Sequence, residues 1–235
     1  MKKYLAMGIV FILFVLTALF FAKVFFGGIS NFAWMKMGLA SGYLLAAVGL
    51  GAPGFRLGRW LLPGFCCAWW GDFFLIGPGN GFFLAGLVAF LLGHVCYCIA
   101  YATHGARWGV ALISSAVLAC PGAVLVWKLW PGIPAGLGAP VIVYLTVITM
   151  MVSLSFGCVG RPAGWFLVLG AVLFYLSDMG VSSQAFGGAD MGPLKQLVKL
   201  YFPGQYVLAA AIFIARRSQE KGWTGAVGAQ AGDGL

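Results

Sequence analysis

The chain has 235 residues, of which 62% are hydrophobic and only 8% charged, with a mean hydropathy of +1.00. So little polar surface excludes a water-soluble globule and leaves an integral membrane protein. The formal charge of +9 comes from basic residues scattered over segment ends rather than gathered on one face, so nucleic acid is not an expected partner.

A bilayer core of about 30 Å takes roughly 20 apolar residues per helix. Charges and Pro/Gly clusters divide the chain into eight such stretches, at 4–26, 31–50, 60–77, 81–103, 107–128, 137–158, 163–186 and 194–215. Strand-like alternation is absent, and continuous apolar runs specify helices rather than a barrel. The predicted fold is an all-α integral membrane protein, a single bundle of about eight transmembrane helices over residues 1–217. After Arg217 the composition turns to Gly, Ala, Gln and Ser, which predicts a flexible cytoplasmic tail over 218–235.

The first stretch follows Met1-Lys2-Lys3 and stays apolar through Phe26 without a small-residue cleavage site, so it reads as a retained anchor. Placing both termini in the cytoplasm puts Lys2, Lys3, Arg56, Arg59, Arg107, Arg161, Arg216, Arg217 and Lys221 inside. Lys23, Lys128, Lys195 and Lys199 are then outside, in accord with the positive-inside rule. Lys36 is the remaining cation and lies within the second stretch. The expected location is a bacterial inner membrane.

Asp72 and Asp178 are the two acidic residues inside apolar segments. A carboxylate at membrane depth is expensive unless paired, hydrated or protonated, and a structural contact is made more cheaply by Ser or Asn. These two are therefore the first candidates for chemistry. Counting along the spans places Lys36 and Asp72 about five residues, and Asp178 about eight, from the outer ends of their helices. Tyr144 and Gln205 fall between the outer third and the middle, so five polar groups from five helices share one slab. Bundle interiors collect such groups, although Tyr144 and Gln205 also serve as ordinary helix-to-helix partners and Lys36 can reach the outer headgroups.

The fourth stretch carries Phe90, His94, Tyr97 and Tyr101 on one helical face, with Gly86 and Gly93 beside it permitting a close helix approach. The seventh aligns Gly170, Phe174, Asp178 and Val181 on one face, predicted to look inward, with Ser177 and Ser182 flanking the aspartate. The six cysteines lie in apolar stretches as small packing residues. A zinc set of His94, Cys96 and Cys98 would need ligands from different helical faces, so neither metal nor cofactor is expected. In the last stretch, Pro203 within Tyr201-Phe202-Pro203-Gly204-Gln205 is expected to bend the helix beside the polar slab.

Several of these segments together resemble the YhhN-like membrane family, whose characterised members are lysoplasmalogenases. They are Gly71-Asp72-Phe73-Phe74-Leu75; Phe83, then Gly86 through Phe90-Leu91-Leu92-Gly93-His94 to Tyr97; Gly170 through Phe174-Tyr175-Leu176-Ser177-Asp178; and Tyr201-Phe202 with Gln205. The resemblance spans roughly residues 36–216, with one departure: Met37 follows the lysine where the family tends to place Pro. It implies hydrolysis of the vinyl ether bond of a lysophospholipid substrate, releasing a fatty aldehyde and a glycerophospho-headgroup. Vinyl ethers are acid-labile, so the expected catalytic residues are Asp72 and Asp178, a pair expected to meet across the bundle and retain a proton, one as proton donor and the other stabilising the cation. Lys36, His94, Tyr97, Tyr144, Ser177 and Gln205 are the expected substrate-positioning residues, and membrane lipids are the other partners. A proton-coupled transporter or lipid-handling protein using the same aspartates is the alternative, and a scaffold with structural aspartates is a third.

Overall fold

A computed structural model describes residues 31–220, so the expected first span and the tail beyond Glu220 lie outside the described residues. Seven long helices follow one another: α1 Asn31–Gly49, α2 Arg56–Phe74, α3 Asn80–Thr103, α4 Trp108–Leu129, α5 Gly138–Gly157, α6 Gly164–Phe186 and α7 Tyr201–Glu220. No strand occurs among the described residues. Six of these helical stretches are long and apolar enough to cross a bilayer. The other helix, α2, carries Arg56, Arg59 and Asp72 within its 19 residues. The chain is thus a multi-pass membrane protein, all-helical over the described residues.

Two elements differ from the sequence expectation. Helix α2 starts at Arg56 rather than 60 and ends at Phe74 rather than 77. Its first turn is charged, which hydropathy places outside a span. Its last turn stops before Gly77-Pro78, because a residue preceding proline avoids the helical region. The expected continuous helix over 194–215 is instead a short turn at Gly192–Lys195, a 3-10 segment at Gln196–Leu200, and then α7 from Tyr201. Pro203 therefore sits in the first turn of α7, where a missing N–H costs nothing, and marks a new start rather than a bend.

Helices α2 and α3 pack along most of their length, as do α4 with α5 and α6 with α7. The α2–α3 seam uses the glycines one heptad apart: a Cβ at Gly93 would lie 3.1 Å from the Gly64 carbonyl, and one at Gly86 would lie 3.3 Å from the Gly71 carbonyl. Gly170 and Gly204 do the same reciprocally between α6 and α7, at 3.0 and 3.1 Å from each other's carbonyl oxygens. Without a hydrophobic force between helices in lipid, such close backbone approach is a main source of packing energy. The outer wall of α4 presents Leu112, Ile113, Val117 and Trp127 outward, each more than two-thirds exposed. A contiguous apolar wall of this kind suits acyl chains and not water.

Candidate functional site

The polar residues of the interior fall into two networks. The first joins α1, α2 and α7. Lys36 Nζ lies 3.2 Å from Asp72 Oδ1 and donates to the Asp72 main-chain oxygen at 3.3 Å. The Tyr201 hydroxyl donates to Asp72 Oδ2 at 2.7 Å, and Tyr43 meets that hydroxyl at 3.3 Å. Asp72 is almost completely enclosed, its side chain 2% exposed, while Lys36 is 17% exposed and reaches the bundle surface. Both carboxylate oxygens thus have donors, as an ion removed from water requires.

The second network joins α3, α5 and α6. Asp178 Oδ2 accepts the Tyr144 hydroxyl at 2.6 Å and faces His94 Nε2 at 3.1 Å, and the Tyr144 oxygen is also 3.1 Å from that nitrogen. A carboxylate oxygen cannot donate unless protonated, so this triangle assigns a proton to His94 Nε2. His94 is fully buried, and Nδ1 has no hydrogen-bond partner among the described residues. Asp178 is 15% exposed, and its second oxygen takes no hydrogen bond from the described residues.

An aromatic layer separates the two carboxylates. The Phe174 ring stands edge-on to His94 at 4.8 Å and to Tyr201 at 5.2 Å, with Phe90 closing the same layer against Tyr201 at 5.8 Å. No hydrogen bond or ion pair joins Asp72 to Asp178. The expected division of labour between two acids therefore rests on two separately held groups, each with its own donors, and not on one proton shared across a carboxyl pair.

Of the other residues singled out in the sequence, Tyr97 and Gln205 form a buried pair of their own, the phenol donating to Gln205 Oε1 at 3.0 Å. Phe174 walls this pair as well, 6.4 Å from the Tyr97 ring. Ser177 stands apart: its hydroxyl donates to the Val198 carbonyl at 3.4 Å and so ties α6 to the 3-10 segment before α7. Neighbouring residues on a helix point about 100° apart, which is why adjacency to Asp178 did not bring Ser177 into that network. Ser182 donates to the Asp178 main-chain oxygen at 2.9 Å. No cluster of three or more His, Cys, Asp or Glu side chains suited to a metal occurs among the described residues. Sequence reasoning leaves Tyr43 and Tyr201 out of the site. The available signal for Tyr43 is its spacing of seven from Lys36, two turns along one face of α1.

Fold and interior define a polytopic membrane protein with titratable groups gathered inside its bundle. The chain belongs to the YhhN family, which it matches over residues 32–212. It is similar to the lysoplasmalogenases of Mycobacterium bovis and Mycobacterium tuberculosis, each 31% identical over 180 residues that cover 74% of this chain and 67% of the relative. No solved structure matches the chain.

Proposed function

We propose that this protein hydrolyses the vinyl ether bond of lysoplasmalogens, with Asp178 as the proton donor and Asp72 as a fixed negative charge. The observation that carries this division is the unequal use of the two carboxyl groups: both oxygens of Asp72 are engaged, whereas only Oδ2 of Asp178 is held. The open oxygen of Asp178 is the one that carries a proton to substrate.

In the first step the Asp178 proton moves to the β-carbon of the alkenyl group. The π electrons form the new C–H bond, and an oxygen-stabilised cation remains at the α-carbon. Water adds to that carbon and returns a proton to Asp178, giving a hemiacetal. Its carbon–oxygen bond to glycerol then breaks as the hemiacetal hydroxyl gives up its proton and the glycerol oxygen gains one, releasing the fatty aldehyde. One water is consumed and the acid is regenerated. Tyr144 and His94 hold Asp178 in place, and Asp72 fixes the Lys36 ammonium through their 3.2 Å ion pair. Lys36 has three ammonium hydrogens and a partly exposed position, so it retains capacity for the substrate phosphate. The similarity to two lysoplasmalogenases supports the choice of bond.

The test is aldehyde release by purified protein, with vinyl ether and ester lysolipids compared. Asp178→Asn and Asp72→Asn should each remove turnover while leaving folded protein in the membrane. Near-normal activity in both variants would sink the assignment, and ester cleavage alone would move the protein to another hydrolase class. Uptake of a solute driven by a proton gradient, without aldehyde, would favour a transporter.

A further inference from the structure

Four buried polar atoms are without partners among the described residues: His94 Nδ1, Tyr101 Oη, Gln205 Nε2 and, on α5, Thr149 Oγ1; the first three belong to one face of α3 and the residue that meets it. All three side chains are fully buried. His94, Tyr97 and Tyr101 share one face of α3 at spacings of three and four, and Gln205 reaches that face from α7 through its bond with Tyr97. Helical side chains lean toward the helix N-terminus, so the Tyr101 phenol points back along α3 toward Tyr97. Packing at Gly64 keeps this face open to aromatic rings, since any side chain there would enter the Tyr97 ring.

Buried polar groups are nearly always satisfied, and one left dry costs free energy, so each of these three atoms calls for a partner. Their chemistry is complementary to water: the amide nitrogen donates, and the imidazole nitrogen and the phenol can each be met by a water, which both donates and accepts. The stretch from His94 to Tyr101 is seven residues, about 10 Å of helix. Tyr101 stands two residues before the end of α3, where the chain turns toward Arg107 and Arg161. At the other end His94 meets Asp178 through Nε2, the ring nitrogen opposite the unpartnered Nδ1.

We propose that this face of α3, with Gln205 opposite, is an internal water-binding site between the arginine-bearing end of the bundle and His94, linked to Asp178 through the imidazole and supplying water for hydrolysis. Its role in turnover rests on the vinyl ether reading; its hydration does not. Buried tyrosines beside bound water are labelled in place when X-rays convert that water to hydroxyl radical. In protein reconstituted into lipid nanodiscs, Tyr97 and Tyr101 should label at least fivefold faster than the equally buried Trp69. Tyr101→Phe should slow labelling of Tyr97 and lower kcat about fivefold or more, with KM within twofold and no gain in thermal stability. Labelling of both tyrosines at the rate of Trp69 would overturn the proposal. So would a Tyr101→Phe protein with unchanged turnover and a raised melting temperature, the behaviour of a dry, unpaired hydroxyl removed from a core. Fast labelling in a protein that releases no aldehyde from any lysolipid would keep the water site and discard the vinyl ether reading.

Discussion

Replacing Lys36 by methionine isolates the cost of one enclosed charge. The ammonium lies 3.2 Å from Asp72 Oδ1, and the carboxylate is 2% exposed. At an effective dielectric of about 20 the attraction at that distance is roughly 5 kcal/mol. Losing one partner of a buried pair costs about 3–5 kcal/mol in practice, because the remaining charge stays out of water. Tyr201 alone cannot replace the cation, since it offers a single hydrogen bond. The Lys36→Met protein should therefore unfold with a free energy lower by about 3–5 kcal/mol, measured by tryptophan fluorescence in mixed micelles of rising denaturing-detergent fraction. Adding Asp72→Asn removes the orphaned charge and should recover about half of the loss or more, a coupling that a double-mutant cycle reads directly. A Lys36→Met protein as stable as the parent, or a double variant less stable than either single one, would refute the reasoning. Lys36 would then be an amine hydrated among the headgroups, with Asp72 satisfied without it.

Tyr144→Phe removes the 2.6 Å bond to Asp178; a hydrogen bond to a charged or reacting group is worth about 1.5–3 kcal/mol, so kcat for aldehyde release should fall roughly 10- to 100-fold with little change in KM. Gly204→Ala inserts a methyl 3.1 Å from the Gly170 carbonyl and 3.2 Å from the Phe174 nitrogen, and should cost about 1–3 kcal/mol by prying α6 from α7. A melting temperature equal to that of the parent would show that the helices separate freely. His104, just beyond α3, donates through Nε2 to the Pro162 carbonyl at 2.9 Å. Burial first, and the nearby Arg161 charge next, hold its imidazole below the ordinary value of about 6.5, against the opposing effect of the Pro162 bond. Its contribution to stability is thus present above that value and is lost as pH falls from there through the folded-state value. The parent should lose melting temperature on going from pH 7.5 to 5 and His104→Gln should lose less; equal losses would discount the histidine.

Apolar content, run length and the placement of charges made the membrane class and most helix positions legible in the sequence. Both follow from local chemistry, since lipid demands apolar surface and internally bonded backbone wherever the chain crosses it. The same cost picked out Asp72 and Asp178, because an ionisable group in an apolar run stands out whatever its neighbours are. The start of α7 was less legible. Pro203 reads equally as a kink or as a first-turn residue, and only the 3-10 segment before Tyr201 separates the two.

The partners of those carboxyl groups were decided by tertiary structure. Lys36 and Asp72 are 36 residues apart, and Tyr201 is 129 beyond Asp72, yet the three meet because α1, α2 and α7 converge at one end of the bundle. His94, Tyr144 and Asp178 meet through a different set of helices, with the Phe174 ring between the networks. Depth along each helix is written in residue order, at a fixed rise per residue. The rotation of each helix about its axis is set only when neighbours pack, and that rotation sent Ser177 to the Val198 backbone and Asp178 to His94.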